Sequence, residues 1–301
     1  MTEIYMVIDE SGAKGYSDNQ EKEPGELGVA AGFLVPKEYL QLFKLELERI
    51  RSGFEHNGKF HITDLTPEQQ TSLREQIYEL FIEKKIYCVY EAIYVQGFYD
   101  HFKRNDELIK TSLEGLESKI ATSNNPKYES LHKWLLSDVI TKGMAFCEDM
   151  NIKKPFLLNI ITDNLDKSIR EDAEKVVAGF LGITDKKEYR VSGYDRENKQ
   201  VVERHFSTQI KASADAIGDF TGIEFNVSSE DSALTMAADV IANGLYRHLK
   251  EKQKDTLGAA LHSKEIVSSH PLKDILYNII VASDMPDMVD SFFRYPSEAE
   301  S

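Results

Sequence analysis

An apolar run that ends in two carboxylates opens the chain: Ile4-Tyr5-Met6-Val7-Ile8 leads straight into Asp9-Glu10-Ser11-Gly12. A short apolar run stopped by a glycine turn has the pattern of a buried strand. The two acids are then expected in a turn at the strand's end, on the rim of a sheet, where a rigid scaffold meets an open loop. The pattern recurs. Phe156 to Thr162 is a second apolar run, and it ends in Asp163-Asn164. A third acid, Asp239, lies in a small-residue helical stretch, Ala237-Ala238-Asp239-Val240-Ile241-Ala242-Asn243-Gly244. Three acids on rigid elements far apart in the chain predict one metal site.

The rest of the chain alternates strand and helix signals, which predicts an α/β fold. Leu27–Val35 reads as a strand, joined to the first by a polar, hairpin-type connection. Pro36 opens a helix with Leu40, Phe43, Leu47 and Ile50 at helical spacing. Thr66-Pro67-Glu68-Gln69 is a capping box with proline at the first helical position, and its helix runs to about Lys84. Residues 86–95 read as a strand. Residues from about 97 to 150 read as wholly helical, an insertion within a single domain over 1–301. Further on, the patterns predict a helix over about 167–181, a hairpin over 188–206, a short strand at Ile223, Phe225 and Val227, a helix from Ser232 to Leu249, and a last helix over 271–282.

Charge narrows the function classes. The net charge is −15, from 51 acids against 36 Lys and Arg. That argues against a nucleic-acid coat or a membrane-surface protein, whose affinity comes from bases. It leaves room for an enzyme that holds a polyanion with metal ions and a local basic patch. The only two cysteines, Cys88 and Cys147, lie in apolar context and read as buried thiols of a reducing compartment. With no membrane-length apolar run and no leader pattern at Met1-Thr2-Glu3, a cytoplasmic protein is expected.

Hydrolysing a phosphodiester requires neutralising the attacking and leaving oxygens. Hard divalent cations do this, and they take carboxylate ligands. Asp9, Asp163 and Asp239 are therefore candidate Mg²⁺ or Mn²⁺ ligands, with Glu10 beside them. Structural readings stand next to each. Asp9 or Glu10 can cap the turn, Asp163 can be a plain strand-to-turn ending, and Asp239 can pair with Arg247 or Lys250. His61, in Lys59-Phe60-His61-Ile62-Thr63-Asp64, is a candidate proton carrier or a loop-capping side chain, and Asp64 a turn residue or a further acid. Two stretches offer cations to a phosphate backbone: residues 186–211, where acids nearly balance them, and Arg247-His248-Leu249-Lys250-Glu251-Lys252-Gln253-Lys254. Phosphate-loop, dinucleotide-loop and serine-elbow motifs are absent.

These residues resemble the family known as domain of unknown function 3800. The likeness rests on Asp9-Glu10-Ser11-Gly12 after the first strand, Asp163 after a mid-chain strand, the Phe60–Asp64 motif around His61, and Ser229 followed by Ala238-Asp239 in a helix. It spans roughly residues 1–250. One departure is Leu234-Thr235-Met236 before Ala237-Ala238-Asp239, where members often carry Gln. The resemblance implies an RNase H-like mixed sheet with flanking helices and a metal-dependent nuclease, catalytic through Asp9, Glu10, Asp163, Asp239 and His61. The implied partner is a nucleic acid, RNA or DNA undecided, together with a possible protein partner. The competing expectation is a non-catalytic nucleic-acid-binding or protein-interaction module on the same fold.

Overall fold

The computed structural model describes residues 1–54, 60–114, 120–122, 128–163, 187–195, 199–208, 222–277 and 293–295. β1 (Thr2–Gly12), β2 (Leu27–Pro36) and β3 (Cys88–Tyr94) form an antiparallel meander. A second, three-stranded sheet joins β4 (Ile120–Thr122), β6 (Lys187–Asp195) and β7 (Gln200–Thr208) in the order β4-β6-β7. β5 (Phe156–Thr162) lies parallel to β1 on the side away from β2, and β8 (Ile223–Ser229) lies parallel to β5. β9 (Leu276–Tyr277) adds a short parallel strand to β3, giving the six-stranded order β8-β5-β1-β2-β3-β9. A meander extended by two parallel strands beyond its first strand makes a mixed sheet, as expected.

Helices cover both faces. On one lie α1 (Lys37–Arg51) and α2 (Pro67–Lys84). On the other lie α3 (Val95–Glu114) and α4 (Leu131–Asp149). α5 (Ala233–Thr256) returns to the first face, followed by the single turn α6 (Lys264–Val267). Cover on both sides is why β2 is apolar throughout and buried except at Pro36. The α2 start is the expected capping box: Thr66 Oγ1 accepts from the Gln69 amide at 3.3 Å, and Gln69 Oε1 accepts from the Thr66 amide at 3.0 Å. α5 begins in the same way at Ser232, whose hydroxyl oxygen accepts from the Leu234 amide at 3.2 Å, while Thr235 Oγ1 accepts from the Ser232 amide at 3.0 Å. Its small residues bring it close to its neighbours: Ala237 and Ala238 are fully buried, and a Cβ at Gly244 would run into the Tyr78 hydroxyl.

Three expectations need correcting. Asp9 and Glu10 are not in a turn, because β1 continues to Gly12, and Glu10, Ser11 and Gly12 still pair with Ala30, Val29 and Gly28. The stretch expected to be wholly helical contains β4, which pairs with β6, and its second helix, α4, is a main cover of the sheet. Leu276 and Tyr277, expected in a last helix, are strand, because β3 still has an open edge there to pair with. Residues 271–275 of that expected helix form turns instead, while its residues 278–282 and the expected 167–181 helix fall outside the described residues.

Candidate functional site

Alternation along β1 decides what the opening acids can do. Successive side chains of a strand point to opposite faces. Val7 belongs to the core under α1, α2 and α5, whereas Ile8 belongs to the core under α4. Asp9 therefore faces α5, and Glu10 faces α4. The expected acid pair is split by the sheet.

Asp163 joins Asp9. β5 runs parallel to β1 with Ile8 beside Thr162, so Asp163 follows at the level of Asp9. Ile161, two residues earlier, sits in the α5-side core, which puts Asp163 on the Asp9 face. α5 crosses that face and supplies Asp239. The three acids share one electrostatic environment. Burial, first, then Asp163, Asp239 and Glu10 push the Asp9 carboxyl up to about 8, against one opposing hydrogen bond from the Glu10 amide at 2.9 Å. Asp9 is only 6% exposed.

Asp239 is also raised, chiefly by burial. It has local support as well. Asp239 Oδ2 accepts from the Ile62 amide at 2.8 Å, and His61 Nδ1 stands 3.9 Å from the same oxygen. The 3₁₀ turn Ile62–Asp64 thus packs its first amide on Asp239, with His61 extended just before it and half exposed. Asp64 adds a further negative charge near Asp239. The anticipated pairing of Asp239 with Arg247 or Lys250 is not what forms. Arg247 donates to Gln70 Oε1 at 3.1 Å, and Lys250 donates to Glu23 Oε1 at 3.1 Å.

Glu10, across the sheet, meets Lys14 at 2.7 Å and His132 Nδ1 at 3.5 Å. His132 is the second residue of α4, and its other ring nitrogen is buried with no partner among the described residues. Nothing in the local pattern around His132 marks it, because its role depends on where α4 lands on the sheet. An apolar cavity of about 600 Å³ lies at the other end of β1, against Ile4, Leu34 and Phe146, remote from the acids.

The donor set suits a hard divalent cation in kind: carboxylate oxygens at least partly buried, whose like charges raise the Asp9 carboxyl. Among the described residues, no three His, Cys, Asp or Glu side chains are drawn together tightly enough to hold an ion as they stand. Binding would require the carboxylates to rotate toward a common point.

No family model matches the chain, and no curated protein matches it. Among solved structures, the ribonuclease H2 from Pyrococcus horikoshii OT3 aligns with 95% of this chain and 96% of its own length. That alignment has 11% identity and a TM-score of 0.33, too loose a likeness to transfer any residue's role.

Proposed function

We propose that this protein is a divalent-metal-dependent nuclease that hydrolyses phosphodiester bonds with Asp9, Asp163 and Asp239 as metal ligands. The observation that carries the reading is the gathering, on one face of one sheet end, of three acids from β1, the end of β5 and α5. Stability alone gives no reason to bury carboxylates against one another. The resemblance to the family known as domain of unknown function 3800, where the same positions are acidic, supports it.

Mg²⁺ or Mn²⁺ bound there would offset charge on the attacking and leaving oxygens of the phosphodiester. The chain's own residues have separate tasks. Asp239 is held in place by the Ile62 amide. His61, half exposed beside it, is placed to pass protons to and from solvent. Glu10 lies on the other face with Lys14 and His132, so its task is to hold the end of β1 rather than to contact substrate.

The test is cleavage of a panel of RNA, DNA and hybrid substrates with Mg²⁺ or Mn²⁺. Activity should vanish in EDTA and return with Mn²⁺. Asp163→Asn should reduce it about a hundredfold or more, and combining it with Asp9→Asn should add little, because both disable one unit. A protein that binds the panel equally well with and without Asp9→Asn, and cleaves none of it, would be the non-catalytic binding module instead.

A further inference from the structure

α5 carries a polar stripe leading away from Asp239. Asn243 and Arg247 follow it at four-residue steps, so all three share one side of the helix. Gln70 and Arg74, also four apart, face that stripe from α2. Arg74 donates to Gln70 Oε1 at 3.0 Å and to Asn243 Oδ1 at 3.3 Å, and Arg247 donates to the same Gln70 oxygen at 3.1 Å. Two guanidinium groups therefore meet on one neutral amide oxygen. Among the described residues neither arginine pairs with a carboxylate, and the Arg74 Nε is buried with no acceptor.

That is unusual in a chain with 51 acids and 36 bases. Lys14, Lys37, Arg51, Lys84 and Lys250 all take an acid within reach. Arg74 instead has its affinity for a proton lowered, first by burial and then by Arg247. Two guanidiniums held side by side, with donors left over, fit a tetrahedral dianion or a phosphodiester, which accepts forked hydrogen bonds.

We propose that Arg74 and Arg247 form a phosphate subsite that grips a nucleic-acid strand a few nucleotides from the bond held at the acids. Gln70 and Asn243 fix the two guanidiniums in register. The proposal rests on the nuclease reading above, and the spacing supports it. Asn243 is one helical turn from Asp239 and Arg247 two turns, about 6 and 12 Å along the axis. A strand rises about 3.4 Å per nucleotide, so the pair sits about two to four nucleotides away.

The test is binding of a labelled single-stranded oligonucleotide across a salt series, with Ca²⁺ replacing Mg²⁺, alongside steady-state cleavage kinetics. Arg247→Gln and the Arg74→Gln/Arg247→Gln pair should weaken binding about tenfold to a hundredfold. The slope of log affinity against log salt should fall by about 0.7 for each phosphate that is no longer neutralised. In cleavage, KM should rise with kcat little changed, because the arginines grip substrate and transition state alike. Replacing both arginines by lysine should restore the salt slope but only part of the affinity. Arg247 is exposed, so its single variant tests the idea even if Arg74→Gln does not fold. Unchanged affinity and slope in folded variants, while Asp163→Asn still abolishes cleavage, overturns the subsite and leaves the nuclease reading standing. A reduced slope in a protein that cleaves nothing keeps the subsite and removes the nuclease reading. Binding of inorganic phosphate by the wild-type protein without any binding of strand overturns the proposal.

Discussion

Among the described residues, two groups of buried charge are built on opposite terms. Around Asp9, acids face acids, and the Asp9 carboxyl is driven up to about 8. Around Glu91, on β3, every charge is answered. Glu91 is completely buried, yet Lys142 Nζ lies 2.8 Å from one of its oxygens and His262 Nε2 2.7 Å from the other. Lys142 also donates to the Tyr90 carbonyl at 3.0 Å and faces His262 Nδ1 at 3.2 Å, while the His262 ring stacks on Tyr90. Burial alone would raise the Glu91 carboxyl, but His262 and Lys142 outweigh it and hold it low. The Glu91 group is complete within the protein and ties β3, α4 and the segment after α5 together. The Asp9 group instead gathers like charges, which a divalent ion would offset under the proposed function.

Mutations should separate the two groups. Glu91→Gln strands Lys142 and His262 in the core and should cost about 3–5 kcal/mol in urea unfolding. Replacing Glu91, Lys142 and His262 together by apolar residues of similar volume should recover most of that loss. If the single change costs nothing, the contrast between the groups fails. Asp9→Asn should do the reverse. It should leave metal-free stability unchanged or improved, while cleavage falls about a hundredfold or more. Severe unfolding by Asp9→Asn would make the acids structural.

Metal sharpens the comparison next. Mg²⁺ or Mn²⁺ at a hundred times its dissociation constant should stabilise the wild-type fold by about 2.7 kcal/mol, visible as a raised Tm. The shift should disappear in Asp9→Asn and survive in Glu91→Gln.

The pH dependence comes third, and its two signs are opposite. A carboxyl raised in the fold holds its proton in the native state after the unfolded chain has released it. Asp9 should therefore make the metal-free protein lose stability as pH rises from about 4 to about 8, by at most about 1.4 kcal/mol per pH unit. Glu91 is lowered, so its contribution is present above the ordinary carboxyl range and is lost as the medium turns more acidic. Thermal melts in EDTA across this range should lose their alkaline slope in Asp9→Asn alone. The smallest effect expected is that of His61→Ala, about tenfold in rate with a flattened pH profile and little change in Tm.

Parts of this arrangement were legible in the sequence for a definite reason. A carboxylate closing an apolar run, as at Asp9 and Asp163, is a local contradiction visible in the order of the residues alone. The α/β class followed from strand and helix patterns that are equally local, whereas the mixed sheet was what the family resemblance implied. Glu91 carries the same contradiction, an acid within Ile86–Val95, yet its answers lie on α4 and beyond α5 and have no local signature. The side each acid faces was also readable in principle from the two-residue period, but only once β1 was known to continue past Ile8. It continues because β2 keeps offering partners through Gly28, which is a property of the pair and not of either strand. β4 and β9, three and two residues long, are held by their neighbours and are too short to announce themselves.

The pairing of β1 has a consequence for the order in which the molecule comes into being during synthesis. Its antiparallel partner β2 ends at Pro36, so that hairpin can close as soon as residues up to Pro36 have left the ribosome. Its parallel partner β5 begins only at Phe156, and the helix bearing Asp239 only at Ala233. Closing such long loops is slow and comes late. From the closing of that hairpin until the helix that starts at Ala233 has been made, then, the growing chain holds Asp9 without its full company. The scaffold is drafted from β1 and β2, and the three acids meet only after the helix that bears Asp239 exists.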